Sequence, residues 1–170
     1  MRGRGLAPGI MLPMPRDTIP LLSKSRFTSG LQCHKKLFFS FYERDFATPV
    51  GPAQQALFDS GNRVGVIAHG LRPGGTHVGE PAYHHDRAVE RTLPLLADPE
   101  VPAIYEAAFT ELDVRIRADI LARVPSGGWD LIEVKSSTSA KPEHTPDAGV
   151  QLRVLEEAGL TIERVYIAHI

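Results

Sequence analysis

Residues 114–137 read as two alternating runs on either side of a short turn, VRIRADILARV and WDLIEVKSS with PSGG between them. Successive side chains on a strand point to opposite faces, so each run defines two surfaces. In the first, Ile116, Ala118, Ile120 and Ala122 form an apolar face, and Arg115, Arg117, Asp119 and Arg123 form the other. In the second, Ile132 and Val134 point to the core, while Leu131, Glu133 and Lys135 point away from it. A connection of odd length, such as a three-residue turn with a glycine bulge at Gly127 or Gly128, sets Asp119 opposite Glu133. The two carboxylates then share a face, about 5 Å apart at Cβ.

The remaining elements surround this hairpin. SRFTSGLQCHKKLFFSFYE predicts one helix, capped by Ser23 or Ser25. Pro52 opens a second helix, which ends at His69 and can turn Ala56, Leu57, Val64, Ile67 and Ala68 toward a core. HHDRAVERTLPLLAD predicts a third helix that ends or kinks at Pro94. A strand over residues 103–109 precedes the hairpin, Asp147 is placed to cap a helix ending near Gly159, and ERVYIAHI closes the chain as a strand. This order predicts an α/β (α+β) fold with a mixed central sheet of about four strands flanked by helices: an antiparallel meander, then a crossover.

With 170 residues, of which 42% are hydrophobic and 23% charged, the chain can build one cored domain and lacks the composition of a disordered or fibrous protein. Residues 1–21, broken by Pro8, Gly9, Pro13 and Pro15, are expected to be a flexible leader, with the domain spanning 22–170. No stretch approaches the ~20 apolar residues of a membrane-spanning helix. Cys33 is the only cysteine, so no disulfide can form within the chain, and a cytoplasmic location is expected. The 19 basic residues nearly balance the 20 acidic ones, so any nucleic-acid partner must be held by local clustering.

Paired carboxylates repel unless a cation or proton lies between them. A hard divalent ion, Mg²⁺ or Mn²⁺, prefers such oxygen donors and can bridge them to a phosphate. Lys135, on the same face, can then hold an attacking water or stabilise the charge that develops at phosphorus.

Asp119, thirteen intervening residues, then Glu133-Val134-Lys135 resembles the D-x(n)-E-x-K signature of the PD-(D/E)XK nuclease superfamily. His69 at a helix end, Glu106 on the preceding strand and Gln151 on the following helix are similar to the additional motifs of its RecB-like branch, and LSKSRFTSGLQC and WDLIEVKSST are similar to wording in a bacterial family of uncharacterised RecB-like domains. The resemblance implies a restriction-endonuclease-like core and metal-dependent hydrolysis of DNA in repair or defence. It further implies His69, Asp119 and Glu133 as metal ligands, Lys135 as a catalytic residue, and Gln151 as a group orienting substrate or the surroundings of Lys135. Some RecB-like nucleases hold an iron–sulfur cluster on four cysteines. Cys33 stands where the first would be, but its partners are missing, so no cluster can form within this chain. Relatives usually continue beyond the last strand, which leaves a truncated or minimal version as one expectation.

Other readings stand beside these. Asp119 and Glu133 could be a solvated strand face paired with Arg115, Arg117 and Lys135. Lys24, Arg26, Lys35 and Lys36 could form a phosphate-binding stripe or an ordinary helix surface. His77, His84 and His85 read as surface residues. The whole domain could be an inactive nuclease fold that binds nucleic acid or a protein partner, or a fragment that does not fold alone.

Overall fold

The structure is a computed structural model that describes residues 20–170; the expected leader lies largely outside them. In chain order the elements are β1 (Leu22–Ser23), α1 (Lys24–Gln32), α2 (His34–Tyr42), a 3₁₀ turn (Arg44–Phe46), α3 (Pro52–Ala68), a second 3₁₀ turn (His69–Leu71) and β2 (Thr76–His77). They continue with α4 (His85–Ala97), β3 (Ala103–Glu111), β4 (Val114–Arg123), β5 (Trp129–Lys135), α5 (His144–Glu157) and β6 (Ile162–His169). The fold is α+β, with a mixed sheet flanked by helices. The sheet has six strands rather than about four, because β1 and β2, two residues each, add parallel pairings to β4 and β3.

β3, β4 and β5 form the antiparallel meander, and β6 returns parallel to β5 after the crossover helix α5. Between β4 and β5, Val124 and Gly128 close the hairpin, and Gly127 takes a φ of +93° that suits glycine. The ladder ends on the pair Ile120–Ile132, directly before Asp119 on one strand and Glu133 on the other, the register that an odd-length connection sets.

Two apolar clusters hold the layers. The larger joins Ile104, Phe109, Ile116, Ala118, Leu121 and Leu131 to Ala88 of α4 and to Val154 and Leu155 of α5. The smaller sets Ala68 of α3 against Tyr105, Ile120, Ala122 and Ile132. The apolar face expected of β4 is therefore divided: Ile116 and Ala118 enter the first cluster, and Ile120 and Ala122 enter the second. On β3 the change falls between Tyr105 and Ala107, across Glu106, which has a left-handed φ of 59°. Register is unchanged on either side, Tyr105 with Ile120 and Ala107 with Ala118. Alternation thus slips by one residue on both strands at Glu106 and Asp119.

Further sequence expectations need correction, among them Leu131, expected to point away from the core but fully buried in the larger cluster. The single N-terminal helix is two helices, broken at an extended Cys33, which lets Leu37 fold back onto buried Gly30. On α3, Leu57 and Ile67 are exposed rather than core-facing, since the helix meets the sheet chiefly through small Ala68. α4 runs through Pro94 to Ala97, with Asp98 N–H donating to the Pro94 carbonyl. Among the described residues no helix is long and apolar enough to cross a membrane.

Candidate functional site

Where the alternation slips, carboxylates from three adjacent strands face one cavity of about 900 Å³: Glu106 from β3, Asp119 from β4 and Glu133 from β5. Asp119 Oδ2 accepts the Val134 N–H at 2.7 Å, which fixes its side chain across the end of the β4–β5 ladder. Arg115 and Arg117 touch neither carboxylate. Arg115 pairs with Asp86, and Arg117 donates to the Glu80 and Pro81 carbonyls. A solvated ion-paired face does not describe Glu133, whose relative exposure is 1%.

Glu133 is the hub. Lys24 Nζ donates to its Oε1 at 3.0 Å and its Oε2 at 3.2 Å, Lys135 Nζ to Oε1 at 2.6 Å, and Gln151 Nε2 to Oε2 at 2.7 Å. Lys135 also bonds Asp147. Burial would raise the Glu133 carboxyl, but Lys24 and then Lys135 outweigh it and hold the group well below its usual range. Asp119 goes the other way. Burial first and the charge on Glu133 second push it up to about 7, against the opposing pull of Lys24. Lys24 and Lys135 are both raised, since their carboxylate partners outweigh desolvation, so each is a fixed cation at neutral pH.

Sequence reasoning missed two members. Asp147, expected as a cap, lies inside the first turn of α5, which begins at His144; it is buried and reaches Lys135. Its spacing from Gln151, four residues on, places both on one helix face and was the available signal. Lys24, assigned to a surface stripe, instead neutralises Glu133 from the start of α1. Gln151 is fully buried and bonds Glu133, the carboxylate that also holds Lys135, and its Oε1 has no hydrogen-bond partner among the described residues.

His69 stacks on Tyr105, with ring centroids 3.9 Å apart and planes 4° from parallel, and His77 lies 5.8 Å away centroid to centroid. Burial first and His77 second lower its pKa, keeping the imidazole neutral and able to act as a ligand. Tyr105 is held by the Gly75 N–H, which donates to its hydroxyl, and the hydroxyl in turn donates to the Arg72 carbonyl. His77 is exposed and His84 lies near Glu80, but His85 is not a surface residue: it is buried, and its Nε2 is bonded to the Phe109 carbonyl at 3.2 Å and the Thr110 hydroxyl at 3.0 Å.

The donors fit a hard divalent ion in kind: carboxylates of Asp119, Glu133 and Glu106, with the imidazole of His69, line the same cavity. The raised Asp119 reflects its burial first and the neighbouring Glu133 second. As they stand, no three His, Cys, Asp or Glu side chains among the described residues converge closely enough to hold one. Lys24 is the cation that engages both Glu133 oxygens in this arrangement. Cys33, exposed at the helix break, is the chain's one thiol. No protein-family model matches this chain, and no curated protein sequence is significantly similar to it.

Proposed function

We propose that the chain is a metal-dependent nuclease of the PD-(D/E)XK type that hydrolyses DNA phosphodiester bonds in the cytoplasm. The observation that carries this reading is the row of Glu106, Asp119 and Glu133 on three neighbouring strands, with Lys135 fixed beside it by Glu133 and Asp147. Asp119 and Glu133, with His69, would hold Mg²⁺ or Mn²⁺, which would supply Lewis-acid activation of water and phosphate. Lys135 stays protonated, so it cannot take a proton at neutral pH. Its ammonium instead positions the attacking oxygen and stabilises the charge that develops on the phosphoryl oxygens. Gln151 holds Glu133 in place through Oε2.

One observation favours a second reading, an inactive nuclease-fold module that binds nucleic acid or a protein partner. Both Glu133 oxygens are already satisfied by Lys24, Lys135 and Gln151, so a metal ligand role requires Lys24 to swing away. A cleavage assay on labelled single- and double-stranded DNA with Mg²⁺, Mn²⁺ or chelator separates the two. The nuclease reading expects cleavage that chelator stops and that Asp119→Ala and Lys135→Ala abolish. Undiminished cleavage by both variants, or none with either ion, refutes it.

A further inference from the structure

On the far side of α1, that helix, α2 and the Arg44–Phe46 turn enclose a second cavity of about 880 Å³. Arg26, Lys35, Lys36 and Arg44 line it together with Phe39 and Phe46, and Glu43 is the only acidic residue described in its wall. No salt bridge involves any of the four cations among the described residues. The aromatic rings meet one another edge-on, Phe39 with Phe46 at 6.3 Å and with Phe38 at 5.9 Å between centroids, yet stay open to solvent. Phe46 is 78% exposed and Phe39 37% exposed, and α2 contributes no buried residue at all. Cations already lie over two rings: Arg26 is 4.2 Å from the Phe41 centroid and Lys35 is 5.6 Å from that of Phe39.

Cations without a carboxylate partner call for regularly spaced negative charge, and solvent-exposed aromatic rings call for flat apolar partners. Single-stranded nucleic acid offers both at once, phosphates for the cations and open bases for the rings. A duplex keeps its base faces stacked inside and can satisfy only the cations. The cavity lies one helix away from the carboxylates, since Lys24 and Ser25 line the first cavity and Arg26 the second.

We propose that this basic, aromatic cavity is a binding site for single-stranded nucleic acid, distinct from the carboxylate pocket. That the bound strand is also the substrate rests on the nuclease reading; the binding itself does not.

The test is fluorescence anisotropy in chelator, where no metal-dependent cleavage can occur. A labelled single strand and its duplex are titrated with wild type, Phe46→Ala, Phe39→Ala and Tyr83→Ala. The single strand should bind more tightly than the duplex, and each Phe→Ala variant should lose about tenfold in single-strand affinity with little change for duplex. Tyr83→Ala, which removes an equally exposed aromatic ring that lines neither cavity, should bind as wild type does. Phe46 is exposed enough that its removal leaves the fold intact, and Phe39→Ala, which removes the ring that Phe46 meets edge-on, is the second check on the same aromatic surface. Equal affinity of wild type and both Phe variants, or a preference for duplex, overturns the proposal. So does concentration-dependent self-association that Phe46→Ala abolishes, which would assign the face to a second copy. A blank cleavage assay with Phe-dependent strand binding would sink the nuclease reading and leave this site standing.

Discussion

Replacing Asp119 by Asn should remove a pH-dependent weakness of the metal-free protein. In the folded chain the Asp119 carboxyl is raised to about 7 from an ordinary 3.8. A group raised in this way contributes stability that is fully present below its unfolded value and is lost as pH climbs through its folded one. Between about pH 5 and pH 7 the unfolded chain ionises this group while the folded chain keeps it protonated, roughly two units at 1.36 kcal/mol each, or at most about 2.7 kcal/mol. Asp119 is partly open to the cavity, so about 2 kcal/mol is the expected effect. Asn keeps an acceptor for the Val134 N–H but cannot ionise. Glu133 does not confuse the window: its lowered value gives stability that is complete above its ordinary 4.5 and is lost only toward about pH 2. His69 and His85 titrate in both proteins and cancel in the difference. Urea denaturation in chelator at about pH 5 and pH 8 should show Asp119→Asn gaining on wild type by about 2 kcal/mol across that interval. Mn²⁺ should close the gap by favouring the carboxylate. A gap that stays flat across the interval would refute the electrostatic account of the site.

Lys24→Ala should cost about 2 kcal/mol in chelator, by leaving Glu133 with one cation fewer, and should tighten Mn²⁺ binding measured by calorimetry; unchanged Mn²⁺ affinity would remove Lys24 as a competitor. Gly75→Ala should destabilise by about 2–3 kcal/mol, because a Cβ there meets the Tyr105 ring at 2.5 Å and the Ala103 carbonyl at 2.8 Å; thermal unfolding reads it. The same variant should shift the His69 ring resonances in NMR, since Tyr105 is the surface on which His69 stacks. Replacing Leu112-Asp113 by Asn-Gly should stabilise by about 1 kcal/mol, as both residues sit at positive φ (54° and 58°) in the β3–β4 turn; a loss of stability would contradict that.

The hairpin was legible because alternation and a glycine-bearing turn of odd length leave little freedom, and the ladder keeps the register that such a turn sets as far as Ile120 and Ile132. What local sequence did not carry was long-range electrostatics. Lys24 is 109 residues from Glu133, and nothing near it in the chain distinguishes it from Lys35 or Lys36. Asp147 was read as a cap because acidic residues near helix starts usually serve there; its spacing from Gln151 placed it on the site's face of the helix, but its bond to Lys135 is a tertiary contact. The break at Cys33 was hidden for a related reason. Helical spacing continues through it, and the close seat of Leu37 on Gly30 is a tertiary contact. The slip in alternation is likewise invisible to a pattern that assumes a flat strand.

That slip makes Glu106 a hinge between two demands. Its left-handed backbone is one that a glycine would adopt freely, so Glu106→Gly would relax the strand at the point that aims Asp119 into the cavity. A selection for thermal stability and a selection for the site's chemistry would therefore pull this one position in opposite directions. The sequence kept a carboxylate where the backbone alone would favour no side chain.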